Sequence, residues 1–156
     1  MVKSVFSDGK GLVQSAGSSV FVENRLYSRN SGLDVIYQGA EATTADSTAV
    51  VSAANIATGI VKCTPSADRS KATDTAANII DELSLTKDND AVDFVFINLA
   101  TDGTSAVTLT GGTGVTFVGR AIIMAQDAAE DAISEGVAQF RVRRTGAAAV
   151  TIYRIG

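Results

Sequence analysis

Hydrophobic positions in this chain recur mostly with a period of two, the spacing that sends successive side chains to opposite faces of a strand. Val92-Asp93-Phe94-Val95-Phe96-Ile97-Asn98-Leu99 carries apolar residues on both alternating sets, as a central strand covered on both faces does. In Val137–Arg144, Ala138, Phe140 and Val142 alternate with Gln139, Arg141 and Arg143, and Thr145-Gly146 turns that strand into Val150–Ile155. Ile60-Val61-Lys62-Cys63 reads as a further strand, which the sole proline, Pro65, ends or places near an edge. Thr101-Asp102-Gly103-Thr104 carries the Asp-Gly signal of a tight hairpin, with Val107-Thr108-Leu109-Thr110 returning. Gly111–Gly114 then turns the chain into Val115–Val118, whose expected neighbour is Ala121–Ala125.

One segment breaks the pattern. In Asp74–Leu83 the apolar residues Ala76, Ile79, Ile80 and Leu83 fall at i, i+3, i+4 and i+7, on one face of a helix. Thr73 or Asp74 is placed to cap its start. So short a helix needs a sheet to pack against. Residues 1–49 have a different texture, punctuated by Gly and Ser with strand-like runs at Ser19–Leu26 and Leu33–Gln38. The division expected is an N-terminal arm with accessory strands over 1–49 and a β domain over 50–156. The fold class predicted is mainly β, an antiparallel sandwich or jelly-roll-like domain with one short helix.

Composition strengthens that reading. Ala, Thr, Ser and Gly supply 68 of the 156 residues, and Val (17) and Ile (11) outnumber Leu (7). Stiff β-branched side chains pack well on a pleated surface and lose freedom in a helix. No apolar run reaches the roughly 18 residues of a membrane-spanning helix, and the first residues lack the apolar core of a signal peptide. The expectation is a chain that begins at Met1, is made in a host cytoplasm and meets no membrane. The net charge of −4 argues against nucleic acid as a partner.

The residue inventory narrows the chemistry. The chain has no histidine and one cysteine, Cys63, which excludes His-based triads, Cys/His zinc sites and an intrachain disulfide. Cys63 has no histidine or cationic cluster beside it in sequence and reads as a small buried apolar residue. Gly111-Gly112-Thr113-Gly114 is followed by a strand and lacks the Gly-Lys-Ser/Thr of a phosphate loop, so it reads as a turn. Asp88-Asn89-Asp90 with Asp93 lacks the glycine and distal glutamate of a calcium loop. Asp127, Glu130 and Asp131 read as a solvated loop. No catalytic group, cofactor or metal site is predicted, and the chain is expected not to be an enzyme. The one basic concentration is Arg141, Arg143 and Arg144 with Arg154 on the following strand, a candidate contact site for a capsid protein or a neighbouring subunit.

Several stretches carry a resemblance: Thr75–Ile80, Phe96-Ile97-Asn98, Val107–Gly119, and Phe140–Gly146 with Ala149–Tyr153. Over residues 56–156 the chain resembles capsid decoration, or cement, proteins of marine and cyanobacterial tailed phages. That resemblance implies a β-rich virion protein on the outer surface of an icosahedral head, bound to the major capsid protein as a homotrimer and bracing the shell by bridging its subunits. It implies no particular contact residue. The alternative is a trimeric fibre or adhesin module for host glycans, a class that stacks aromatics on sugar rings; three Tyr and no Trp weigh against it.

Overall fold

The period-two runs become strands whose large apolar side chains meet in a single core. The computed structural model describes residues 39–126 and 136–156, together with two strand pairs nearer the N-terminus: β1 (Phe6–Ser7) with β2 (Gly11–Leu12), and β3 (Arg29–Asn30) with β4 (Leu33–Asp34). The strand run expected at Ser19–Leu26, the remainder of Leu33–Gln38 and the acidic cluster Asp127, Glu130 and Asp131 lie outside the described residues. Contacts divide the chain into two units, Met1–Tyr37 and Gln38–Gly156.

In the second unit the elements run β5 (Ala42–Thr43), α1 (Ala53–Ala57), β6 (Ile60–Cys63), β7 (Arg69–Ala72), α2 (Ala76–Glu82), β8 (Ala91–Asn98), β9 (Val107–Thr110), β10 (Val115–Val118), β11 (Ile122–Ile123), β12 (Val137–Gly146) and β13 (Ala149–Arg154). Six strands form a sheet in the order β10-β13-β12-β8-β6-β5, and three form a second sheet in the order β11-β9-β7. The unit is thus mostly β, but its sheets are mixed, not antiparallel. In the large sheet β12 alone opposes the other five strands, because β5, β6 and β8 pair in parallel, as do β10 and β13. In the small sheet β7 and β9 are parallel and β11 runs against them.

Two expected pairings give way to this topology. β9 does not return on β8; it joins β7 and β11 in the other sheet. The Asp-Gly signal instead shapes a loop in which Asp102 accepts from the amides of Thr104 (2.9 Å) and Ser105 (2.8 Å) and from the Ser105 hydroxyl. An aspartate that bonds its own downstream backbone satisfies the turn without a facing strand. Likewise β10 pairs with β13 and not with the following segment. The turn expected at Thr145-Gly146 is present, closing the β12–β13 hairpin where Gly146 faces Ala149.

There are two helices, not one. Thr75 caps α2, accepting from the Asn78 amide, one residue later than expected. Ser52 caps α1 in a reciprocal arrangement with Asn55. Asp74 serves both helices: Oδ1 accepts from the Thr75 amide (2.8 Å) and the Asn78 side chain (2.7 Å), while Oδ2 accepts from the Ala53 amide (3.3 Å). The glycine turn meets this junction, and a Cβ on Gly112 would lie 2.4 Å from the Asp74 carbonyl oxygen. At Gly114, φ is +77° and a Cβ would meet the Ala148 carbonyl at 2.4 Å. Each position needs glycine for a different reason, close backbone approach at one and handedness at the other.

The core draws on both sheets and both helices: Val61 and Cys63, Phe94 and Phe96, Ala138, Phe140 and Val142, Val150 and Ile152, Val107 and Leu109, Ile123, Ile56 and Ile79 are all buried. Phe94 stacks on Phe140 with centroids 5.3 Å apart, and Phe117 meets Phe140 edge-on at 6.2 Å. Cys63 is fully buried, as a small apolar residue is expected to be.

Two polar side chains cross between the sheets. Lys71 of β7 is fully buried and donates to the carbonyls of Ala45 (2.6 Å) and Ser47 (2.7 Å), just beyond β5. Asn98 at the end of β8 is also fully buried; its amide nitrogen donates to Ser105 O (2.8 Å) and Ile123 O (3.1 Å), and its oxygen accepts from the Ala100 amide (3.0 Å). Replacing Asn98 with Ala removes three bonds and strands buried backbone groups, each costing about 1–3 kcal/mol. Chemical denaturation of Asn98→Ala is expected to show a loss of about 2–4 kcal/mol. Phe140→Ala, which deletes the ring that Phe94 and Phe117 share, is expected to lose about 3–5 kcal/mol.

Candidate functional site

Antiparallel partners share a face, so register assigns every side chain of the large sheet to the core or to the opposite face. One row on that outer face reads Val118, Tyr153, Arg141 and Asp93 across β10, β13, β12 and β8. The next reads Gln139, Val95 and Ile60, with Ile155 extending β13 beside Gln139. A third reads Val137, Ile97, Lys62 and Thr43. Val118, Val137 and Ile155 are 47%, 42% and 45% exposed, while Val95, Ile97, Ile60 and Tyr153 are half-buried. This open face therefore carries a patch of large apolar side chains, with Leu99 (37% exposed) just beyond β8. Among the described residues, one set of β8 is buried in the core and the other lies on this face. Of the cover expected on both sides, the described residues supply the core side.

Charges border the patch in pairs. On one flank Arg141 forms a two-pronged bond with Asp93, Nε to Oδ1 at 2.7 Å and Nη2 to Oδ2 at 2.8 Å. Each partner shifts the other: the hydrogen bond and charge of Arg141 hold Asp93 below the ordinary carboxylate range, and the same contact raises the Arg141 guanidinium. On the other flank Lys62 pairs with Glu41.

The four arginines expected as a contact cluster do not act together. Arg141 and Arg143 lie on the outer face; Arg143 donates to the Asn89 side chain. Arg144 turns away, donating to Leu85 O at 2.7 Å and Gly146 O at 3.2 Å and approaching Asp88 at 3.2 Å. Arg154 faces Phe140 in register and donates to the carbonyls of Ile122 (2.7 Å), Arg120 (3.2 Å) and Gly156 (3.2 Å). The acidic turn 88–93 thus supplies partners to the arginine strand: Asp88, Asn89 and Asp93 each meet a guanidinium, while Asp90 accepts from the Lys87 amide at 2.8 Å. Asn89, with φ +78°, sits in a conformation that asparagine tolerates better than most residues.

Sequence reading missed Val118, Val137, Ile155, Val95 and Ile97 as surface residues. A signal was present in the second apolar set of β8, which was assigned to an internal cover. No protein family, curated protein or solved structure matches the chain.

Among the described residues four carboxylates, Asp46, Asp74, Asp93 and Asp102, are held low, and they set a pH response. Burial pushes Asp74 up, but bonds from Asn78 and the amides of Thr75 and Ala53 outweigh it, and the net shift is downward. Asp102 is held down to about 2 by the Ser105 hydroxyl and the amides of Ser105 and Thr104. A carboxylate whose folded pKa is depressed adds stability above its unfolded pKa and loses it as pH falls through the folded one. Stability is therefore expected to be flat above about pH 5 and to decline below about pH 4, continuing toward pH 2. Asp74→Asn is expected to flatten that decline in urea titrations repeated across pH. Arg141→Ala, at an exposed pair, is expected to leave the urea midpoint nearly unchanged.

Proposed function

We propose that this chain is a virion structural protein, a capsid decoration protein that binds the outer surface of an icosahedral phage head and braces the shell. The reading rests on one observation above all: the exposed apolar set Val118, Val137 and Ile155, with half-buried Val95 and Ile97 behind it, on the open face of the large sheet. Contiguous apolar surface rimmed by polar groups is characteristic of a docking face. Its flanking charges are already neutralised within the chain by Arg141–Asp93 and Lys62–Glu41. Covering the rows between these pairs therefore strands neither pair as an isolated charge, the costliest outcome of burial.

The domain is read as a two-layer β-sandwich, the large sheet over the small one, with the helices closing the core. Such a body needs no moving part to act as a brace. Each copy spans neighbouring subunits of the major capsid protein, homotrimers place several such faces on one lattice position, and many modest contacts add through avidity. Binding that exists only on the assembled shell stabilises the assembled state by mass action. The resemblance read in the sequence of residues 56–156 points to the same role. Of the arginines named from sequence, Arg141 and Arg143 then serve at the rim of the apolar rows.

The test uses undecorated heads of the phage that carries this protein. Saturable binding at a ratio fixed by the lattice, with a rise in the temperature of head disruption, is the expected outcome. Val137→Glu and Ile155→Glu, both at solvent-exposed positions, are expected to weaken binding at least tenfold while leaving the fold intact by circular dichroism. Folded protein that shows no affinity for heads, or glutamate variants that bind as wild type, would overturn the reading.

A further inference from the structure

Among the described residues of the C-terminal unit, the segment 41–48 is weakly anchored to the core. None of its residues joins the hydrophobic core cluster. Only Thr44 is buried, and Glu41, Thr43, Ala45, Asp46, Ser47 and Thr48 are exposed. β5, inside this segment, is a two-residue edge strand that pairs with β6 alone. What holds the segment is polar: Thr44 N to Lys62 O at 2.8 Å, the Glu41–Lys62 pair, and the Asp46 carboxylate, which accepts from the Ser66 hydroxyl (2.6 Å), the Ser66 amide (3.1 Å) and Arg69 Nε (2.7 Å). Regions held by exposed hydrogen bonds and few apolar contacts open at lower free energy than the core.

Beneath the segment lie two fully buried groups. The Lys71 ammonium donates to the carbonyls of Ala45 and Ser47, and the Cys63 thiol lies 3.8 Å from the same Ala45 oxygen. No carboxylate bonds to Lys71 among the described residues. Lifting the segment returns the ammonium to water, and that hydration offsets part of the cost of opening.

We propose that residues 41–48 form a strap that detaches as one piece while the rest of the C-terminal unit stays folded, uncovering Lys71 and Cys63 together.

Cys63 is the only cysteine in the chain, so the full-length protein carries its own reporter. The test labels it with dithiodipyridine and acylates lysines with an N-hydroxysuccinimide ester, with peptide mapping of Lys71 against Lys62 and Lys87. Expected is Cys63 labelling at least tenfold faster than global unfolding under the same conditions, nearly independent of low urea, with Lys71 acylation appearing at a matching rate. Asp46→Ala, which removes the clasp at the surface, is expected to speed both roughly tenfold, the scale set by losing charge-assisted hydrogen bonds. Labelling of Cys63 only at the global unfolding rate with the full urea dependence would overturn the proposal. So would Lys71 acylation uncoupled from Cys63 labelling, or an unchanged rate in Asp46→Ala.

Discussion

Asn98 ties the large sheet to the small one, and the rest of the C-terminal unit is arranged around that crossing, with Lys71 making a second crossing in the opposite direction to the strap. Lys71 reaches from the small sheet to carbonyls beyond β5 of the large one; Asn98 reaches from the large sheet to Ser105 and to Ile123 in β11. Hydrophobic contact alone fixes two sheets poorly, since valines and isoleucines slide past one another at small cost. Directional bonds in a dry interior do not slide, because each misplaced donor is left without water or partner. Among the described residues every buried side-chain nitrogen or oxygen has a partner. The core is therefore specified by its polar members as much as filled by its apolar ones.

With that relation fixed, the large sheet becomes two different surfaces. The inner face takes the aromatic cluster of Phe94, Phe140 and Phe117, while the helices meet at a single carboxylate, Asp74, that bonds to the starts of both. The outer face keeps smaller apolar residues in ordered rows and pairs its charges in place. β12 supplies the division: Phe140 and Val142 point inward and Gln139 and Arg141 outward along one strand, flanked on each side by a strand of opposite direction.

The sequence made this much readable because alternation is a local property. β6, β8, β12 and β13 were visible in their period of two, and α2 in its i, i+3, i+4 spacing. Partner choice is not local, and it is there that reading along the chain failed. Nothing in Val107–Thr110 or Val115–Val118 says that the first joins β7 in parallel and the second joins β13. The Asp102-Gly103 dipeptide forms its turn as expected, yet leads to a different sheet. α1 escaped notice because five residues are too few for periodicity, and its Ser52–Asn55 cap is a weaker pattern than a Ser-x-x-Glu box. The arginine strand was found by charge alone. Its engagement with Asp88, Asn89 and Asp93 depended on the β8–β12 register, which sequence does not disclose. The buried roles of Lys71 and Asn98 depend on the same long-range pairing.

The ends of the large sheet have a consequence of their own. On one side stands a two-residue strand, β5; on the other, the four-residue β10 lies between Gly114 and Gly119, both at positive φ. Edges so short offer a passing chain few backbone groups to zip against. A protein rich in β-branched residues risks growing sheets from molecule to molecule when it is crowded. At the large sheet's edges that growth has little to start from.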